Sequence, residues 1–354
     1  SYTKMIDFNY APNGTSPYGN MVHASNGKLY GMTNSGGQYN VGIIFEYDLI
    51  SNMFTKKFDF DGVNSGSSPY GGLIQANNGK LYGMTYQGGA NGKGVLFEYD
   101  PETDMYFKKL DFDGSAYGSN PRGTLLEASN NKLYGVTYNG GANNLGALFE
   151  YDPVTEMTTK KADFYSTGRK PLGSLIEADN GKFYVLSSRY YDTYYYRGGH
   201  LIEFDLNTNT LISKHNFSSG LNLYGGIIQA NNGFIYITGN TSYNNYVFKY
   251  DLTLNTISQT TISQGNGAMS NLVQTSNDKI YGMSLNGGSN NQGILFEYDV
   301  STDTNIIKVN FNGNNGSHPY PNSKLTLISY PEPEPLTYVP DNNFEQALID
   351  LGHD

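Results

Sequence analysis

The 354-residue chain contains no cysteine and no tryptophan. The first absence removes disulfides, thiolate metal sites and cysteine nucleophiles together. It leaves the compartment open, because a domain of this size buries enough surface without disulfides. Charge is scarce as well: 15 % of residues are charged, and 22 basic against 32 acidic residues give a net −10. Phosphate recognition needs clustered basic residues, so nucleic acid is not expected as a partner. No apolar run approaches the roughly 18 residues of a membrane-crossing helix, so no span is expected in this chain. No leader peptide is legible, and Ser1 is compatible with a mature N-terminus. What the chain has instead is 32 Tyr, 18 Phe and 43 Gly, enough ring area for a packed core and enough glycine for many turns.

Those residues recur in a fixed order. A block closing on Asp48, Asp100, Asp152, Asp205, Asp251 and Asp299 reads IIFEYD, VLFEYD, ALFEYD, LIEFD, YVFKYD and ILFEYD, at intervals of 46 to 53 residues. Ahead of each lies a second block (LYGMT at 29–33, IYGMS at 280–284), and ahead of that a third (MVHA at 21–24, LIQA at 73–76, LLEA at 125–128). A fourth follows the Asp, as in FTKKFDF at 54–60. Each block has strand length and β-rich composition, and Asn26-Gly27, Asn78-Gly79, Asn180-Gly181 and Asn232-Gly233 mark tight hairpin turns. Four strands per unit of about 50 residues is the requirement of a β-propeller blade. Gly31, Gly83, Gly135 and Gly282 fall within the second strand, where a glycine marks the close approach of a neighbouring backbone. The expectation is an all-β propeller over 1–330, built from four-stranded blades, six favoured and seven the alternative. SYTKMIDF at 1–8 matches a fourth strand and NSKLTLIS at 322–329 a first, so the N-terminal strand is expected to help close the last blade.

The order LYG[MV]T, Gly-Gly, [IL]FEYD and a lysine-bearing outer strand resembles a kelch motif. It is more similar to the kelch-like GloVer tandem repeats of bacterial surface proteins of the choice-of-anchor type, and residues 139–152 carry that pattern most fully. The fourth and fifth units lose the Gly-Gly loop, and the kelch tryptophan is absent. Beyond Tyr330, residues 331–336 read as a Pro/Glu linker. Residues 337–354 read as the start of a following helical segment, with Asn342 as cap, Glu345 three residues on, and Phe344, Leu348 and Leu351 on one face. That stretch resembles the opening of a leucine-rich-repeat region, so the protein is expected to continue past Asp354.

In a repeat protein, residues present in every unit are explained by the fold, and function is sought where units differ. The largest departure is the fourth unit's loop, where Arg189, Tyr190, Tyr191, Tyr194, Tyr195, Tyr196 and Arg197 have the composition of a binding surface. A second candidate is a ring facing the central channel: His23, Gln75, Glu127, Glu177, Gln229 and Gln274, one per unit. Its carboxylate and amide oxygens would suit calcium, against a plain water-filled channel as the simpler account. Asp59, Asp61, Asp111 and Asp113 have a superficial calcium-loop look, but Asp-Gly after a strand is ordinary turn chemistry and no metal or cofactor is assigned. No metalloprotease or serine-hydrolase motif is present. The expected function is therefore a non-catalytic binding or scaffold module, with a carbohydrate-binding adhesin, or a polysaccharide hydrolase or lyase using Glu127 and Glu177, as the alternatives. The resemblance implies a secreted or cell-surface location and a protein or glycan partner there. It also implies a role as type IX secretion cargo or in adhesion and gliding, with outer-membrane secretion machinery as a partner.

Overall fold

The computed structural model describes residues 2–8, 11–165, 168–188, 191–192, 195–196, 198–218, 220–224, 226–319, 325–329, 335–340 and 345–350. In 335–340 and 345–350, as in the short strands Tyr191–Asp192 and Tyr195–Tyr196, only the backbone is described.

Six repeat blades stand in a ring, each built on a four-stranded antiparallel meander in chain order, and in the third and sixth a further short strand (Ser119–Pro121 and Gly265–Met269) also pairs with the second strand. The first is Val22–His23, Lys28–Thr33, Ile43–Asp48 and Met53–Asp59. The innermost strands are short, and the third strands are almost wholly buried because they are covered on both faces. The turn between the first two strands is longer than a two-residue hairpin. Gly27 N–H donates to the Ala24 carbonyl and Ala24 N–H to that of Lys28, which makes a three-residue loop whose last residue, Gly27, carries the positive φ. Asn131 and Asp278 take that role in the third and sixth units.

The glycine of the second strand is required by a ring rather than by a backbone. Gly31 pairs with Phe45 across the ladder, and a Cβ at Gly31 would stand 2.5 Å from the Phe45 ring. Gly83, Gly135 and Gly282 meet Phe97, Phe149 and Phe296 in the same way. The outer strand carries one extra residue opposite Ile44 and Phe45, and this bulge recurs in every repeat blade except the fifth.

The core lies between blades. One cluster joins Tyr30, Met32 and Ile44 of the first blade to Leu73, Val95 and Phe97 of the second, and equivalent clusters join each later pair. The ring is completed by a four-stranded sheet made from both ends of the chain, in the order Tyr2–Asp7, Glu345–Asp350, Pro335–Pro340 and Thr326–Ser329. Its Leu325 packs on the sixth blade and its Ile328 on the first. Two expectations change here. The N-terminal strand does not join the sixth blade, which already has its own outer strand Thr304–Asn310; it is the outermost strand of the closing sheet. Residues within 337–354 also do not form the expected helix: Glu345–Asp350 is a strand between two others. Helix propensity is a weak term, and a two-turn apolar face gains less than a segment that satisfies two open strand edges.

Candidate functional site

The inner strands enclose a channel cavity of about 850 Å³, lined among others by Gln75, Glu127, Glu177 and Gln229. Four of the six expected ring residues thus line the cavity, and five of the six have hydrogen-bond partners across the blades. Every side chain of the ring but that of His23 reaches back to the turn of the preceding blade. Gln75 Oε1 accepts from Ser25 N–H at 2.7 Å, Glu127 Oε1 from Asn77 N–H at 2.9 Å, and Glu177 from Ser129 N–H at 2.7 Å and Ser129 Oγ at 2.6 Å. Gln229 Oε1 accepts from Asp179 N–H at 2.7 Å and Gln274 Oε1 from Asn231 N–H at 2.8 Å. The ring is a series of blade-to-blade latches. An acceptor is the only common need, which is why Gln and Glu alternate freely along it. The series is interrupted at the closing sheet, where Leu327 occupies the corresponding position and offers no side-chain acceptor, and His23 follows on the first blade.

The recurring acids of the third strands are also committed. Glu46 accepts from Lys28 Nζ at 2.6 Å and Tyr30 Oη at 2.6 Å, with the bulge residue Lys57 at 3.6 Å. Burial alone would raise the Glu46 carboxyl, but those partners hold it below the ordinary carboxylate range, and Glu150 and Glu203 behave alike. The buried Tyr30, Tyr134 and Tyr184 phenols are pushed above their usual range by desolvation and by the carboxylate they donate to. The fifth blade departs from this: Phe234 and Lys249 replace the Lys and Glu, with Lys249 Nζ 4.7 Å from the Phe234 ring centroid and 3.1 Å from Asp303 of the sixth blade.

Asp59 and Asp111 each accept a loop N–H, from Gln38 and Ala90, and pair with a lysine three residues earlier. Asp61 accepts from Asn64 and Ser65, and Asp113 from residues 115–117. Burial works against the Asp61 charge, but these donors bring its pKa down to about 2. Among the described residues, no group of three or more His, Asp or Glu is placed to hold a metal ion. In the tyrosine-rich loop, Tyr191–Asp192 pairs with Tyr195–Tyr196 as a small hairpin. The remaining members of that candidate set, and all its side chains, lie outside the described residues.

At the other end of the channel stands a feature that block-by-block reading of the sequence passes over. Gly19, Gly71 and Gly123 form a neck in which a Cβ on each would meet the carbonyl oxygen of the next blade's glycine (Gly71, Gly123 and Gly173) at 2.2 to 2.4 Å. Just inside it, Thr124 Oγ1 donates to Asn20 Oδ1 at 2.9 Å. The residues immediately outside the neck are Tyr18, Tyr70 and Arg122, and they touch. The Tyr18 and Tyr70 ring centroids are 5.5 Å apart, and the Arg122 guanidinium lies 5.7 Å from Tyr70, 5.1 Å from Tyr86 and 4.0 Å from Tyr138. Arg122 Nη2 donates to the Tyr86 hydroxyl at 3.3 Å, while its Nε is buried with no partner. Lys170 Nζ stands 5.0 Å from the same Tyr138 ring. Burial raises the Tyr70 phenol, against the pull of Arg122, so Tyr70 stays a neutral hydroxyl. The signal was available in sequence: Arg122 replaces the Tyr of the Pro-Tyr-Gly triplets at 17–19 and 69–71, and Lys170 replaces the Ser that precedes those prolines.

The Gloeobacter/Verrucomicrobia repeat matches residues 60–244, more than half of the sequence. The chain belongs to that repeat family. No curated protein sequence matches it. Among solved structures, this repeat protein is similar to the extracellular domain of a B. thetaiotaomicron protein assigned as a one-component system, at a TM-score of 0.64 and 16 % identity over 99 % of this chain and 40 % of that one. It is also similar to PorZ, an essential surface component of the type-IX secretion system of Porphyromonas gingivalis (TM-score 0.61, 13 % identity, 96 % and 47 % coverage). The oligogalacturonate lyase of Vibrio parahaemolyticus is a third (TM-score 0.60, 10 % identity, 100 % and 97 % coverage). At these identities the likeness concerns the fold. The repeat chain spans less than half the length of the first two.

Proposed function

We propose that this repeat propeller is a non-catalytic binding and scaffolding module of an exported bacterial protein, working at the cell surface. The observation that carries the reading is the commitment of its carboxylates. Glu127 and Glu177, the pair a hydrolase or lyase would use, hold turn N–H groups of neighbouring blades, and Glu46, Glu150 and Glu203 hold lysine and tyrosine. Glu46, Glu150 and Glu203 are moreover held below the ordinary carboxylate range, the reverse of what a general acid needs. The extracellular domain and the PorZ component among similar structures support a surface setting. Association with outer-membrane secretion or adhesion machinery, as cargo or as scaffold, belongs to the same proposal.

A second reading, glycan binding in the manner of a lectin-like adhesin, is favoured by the tyrosine collar at the neck, since tyrosine faces stack on sugar rings while the hydroxyls hydrogen-bond. The loop at 189–197 is a further surface for it, and joint Tyr194→Ala and Tyr195→Ala substitution should weaken glycan-array binding. The test of the main reading is protease shaving and envelope cross-linking in the producing bacterium, with polysaccharide turnover assayed in parallel. Surface cleavage, recovery with envelope proteins and no turnover are expected. A free soluble monomer, or turnover abolished by Glu127→Gln, would overturn it.

A further inference from the structure

We infer that the collar outside the glycine neck is a binding site for an acidic sugar unit of a glycan, with the carboxylate on Arg122 and Lys170 and the ring face on Tyr70 and Tyr18. The inference rests on the binding reading above and goes beyond it by naming the site and the ligand chemistry.

The two cations stand out from the described lysines of the blades. Apart from Lys93, which donates to the Asp113 carbonyl, every other lysine whose side chain is described stands in an ion pair with a carboxylate. Among the described residues neither Arg122 nor Lys170 has one; both stand against one tyrosine ring instead, at 4.0 and 5.0 Å from its centroid. Two like charges brought together without a counter-ion repel, in a protein whose net charge of −10 would readily supply one. Arg122 carries five N–H donors, of which one is satisfied by Tyr86 and one, Nε–H, is buried and unpaired. A guanidinium held flat by three rings, with donors unspent, is pre-organised for a planar carboxylate.

The surroundings choose the rest of the ligand. Tyr18, Tyr70 and Tyr86 are half-buried, in tilted and edge contacts with ring centroids 5.5 and 5.0 Å apart, so they present ring faces and hydroxyl edges together. A pyranose ring has the same mixture, an apolar face of C–H groups rimmed by hydroxyls, and a carboxylate at its edge completes the match. The pieces come from four successive units: Tyr18 and Tyr70 are repeat residues, while Arg122 and Lys170 are departures from the repeat.

The experiment uses the full chain and hexamers of galacturonate, glucuronate and mannuronate, each also as its methyl ester, titrated calorimetrically. At least one acid is expected to bind, its ester about ten- to hundredfold more weakly, as the loss of charge-assisted hydrogen bonds implies. Arg122→Ala should weaken the acid by a similar factor and Arg122→Lys by less, with the thermal midpoint of each checked to show a folded ring. Lys170→Ala gives a second variant that removes the other cation beside Tyr138, its thermal midpoint checked in the same way. Acid and ester binding equally well would sink the charged site while leaving glycan binding standing. Binding of a hexaglutamate peptide in place of the sugars would reassign the site to acidic peptides and overturn the proposal. If none of the hexamers binds, the proposal fails, while envelope cross-linking still decides the surface reading separately.

Discussion

The fifth blade offers a test of whether the repeat is held by charge pairing or by shape. In the first blade Lys28, Tyr30 and the bulge residue Lys57 surround Glu46, and in the fifth Phe234 and Lys249 stand at the positions of Lys28 and Glu46, with no bulge in the outer strand. Exchanging Lys249→Glu alone removes a cation–π contact worth about 0.5–1 kcal/mol. It also loses the pair with half-exposed Asp303, worth at most about 1 kcal/mol, and sets two carboxylates side by side at a similar cost. The single variant should lose about 2–3 kcal/mol. Phe234→Lys alone places a second ammonium beside Lys249 and gives up ring packing, for about 1–2 kcal/mol. The double variant rebuilds the Lys–Glu–Tyr arrangement of the first blade around Tyr236, so a coupling energy of about 1–3 kcal/mol in favour of the pair is expected. Recovery is incomplete because Asp303 loses its only described cation. Urea unfolding of the four proteins at pH 7 and low salt measures the cycle. Strictly additive losses would refute the reasoning.

The channel latches give another test. Glu177→Ala removes both bonds to Ser129 and should cost about 1–2 kcal/mol, discounted for exposure, with Glu177→Gln costing less because one acceptor remains; unchanged unfolding would return the ring to the list of ligand sites. Acid stability follows from the depressed carboxyls of Glu46, Glu150 and Glu203. A folded pKa below the unfolded value of about 4.3 contributes stability that is complete above that value and is lost as pH falls through the folded one. Unfolding free energy should therefore stay level from pH 7 to about 5 and decline below it, and a decline starting above pH 6 would contradict these assignments.

The blades were legible in sequence because each strand block repeats its own composition six times, and the recurring Asn-Gly, Leu-Tyr-Gly and Phe-Glu-Tyr-Asp leave little freedom in register. The closure was not legible. Strands 335–340 and 345–350 share no block with the repeat, and Asn342, Glu345 and Leu348 carry a local helix pattern that only the two open edges of the ring override. Gln75, Glu127 and Glu177 of the expected ring line the channel, but their hydrogen bonds go to turn N–H groups one blade away, which no spacing rule exposes. Arg122 and Lys170 escaped notice for the opposite reason. They sit in the crossovers, where attention fixed on strand blocks sees only connection, although comparison of the Pro-Tyr-Gly triplets unit by unit marks Arg122 at once.

The central claim is that regular positions build the wheel and departures from the repeat do its work. Converting Arg122→Tyr and Lys170→Ser together restores the residues that the first two units carry at these places. Binding of that double variant to intact cells of the producing bacterium, compared with the parent by flow cytometry at matched concentration, measures the claim directly. The account predicts an unchanged or higher thermal midpoint with cell binding reduced about tenfold or more. A variant that binds cells as well as its parent does would contradict it.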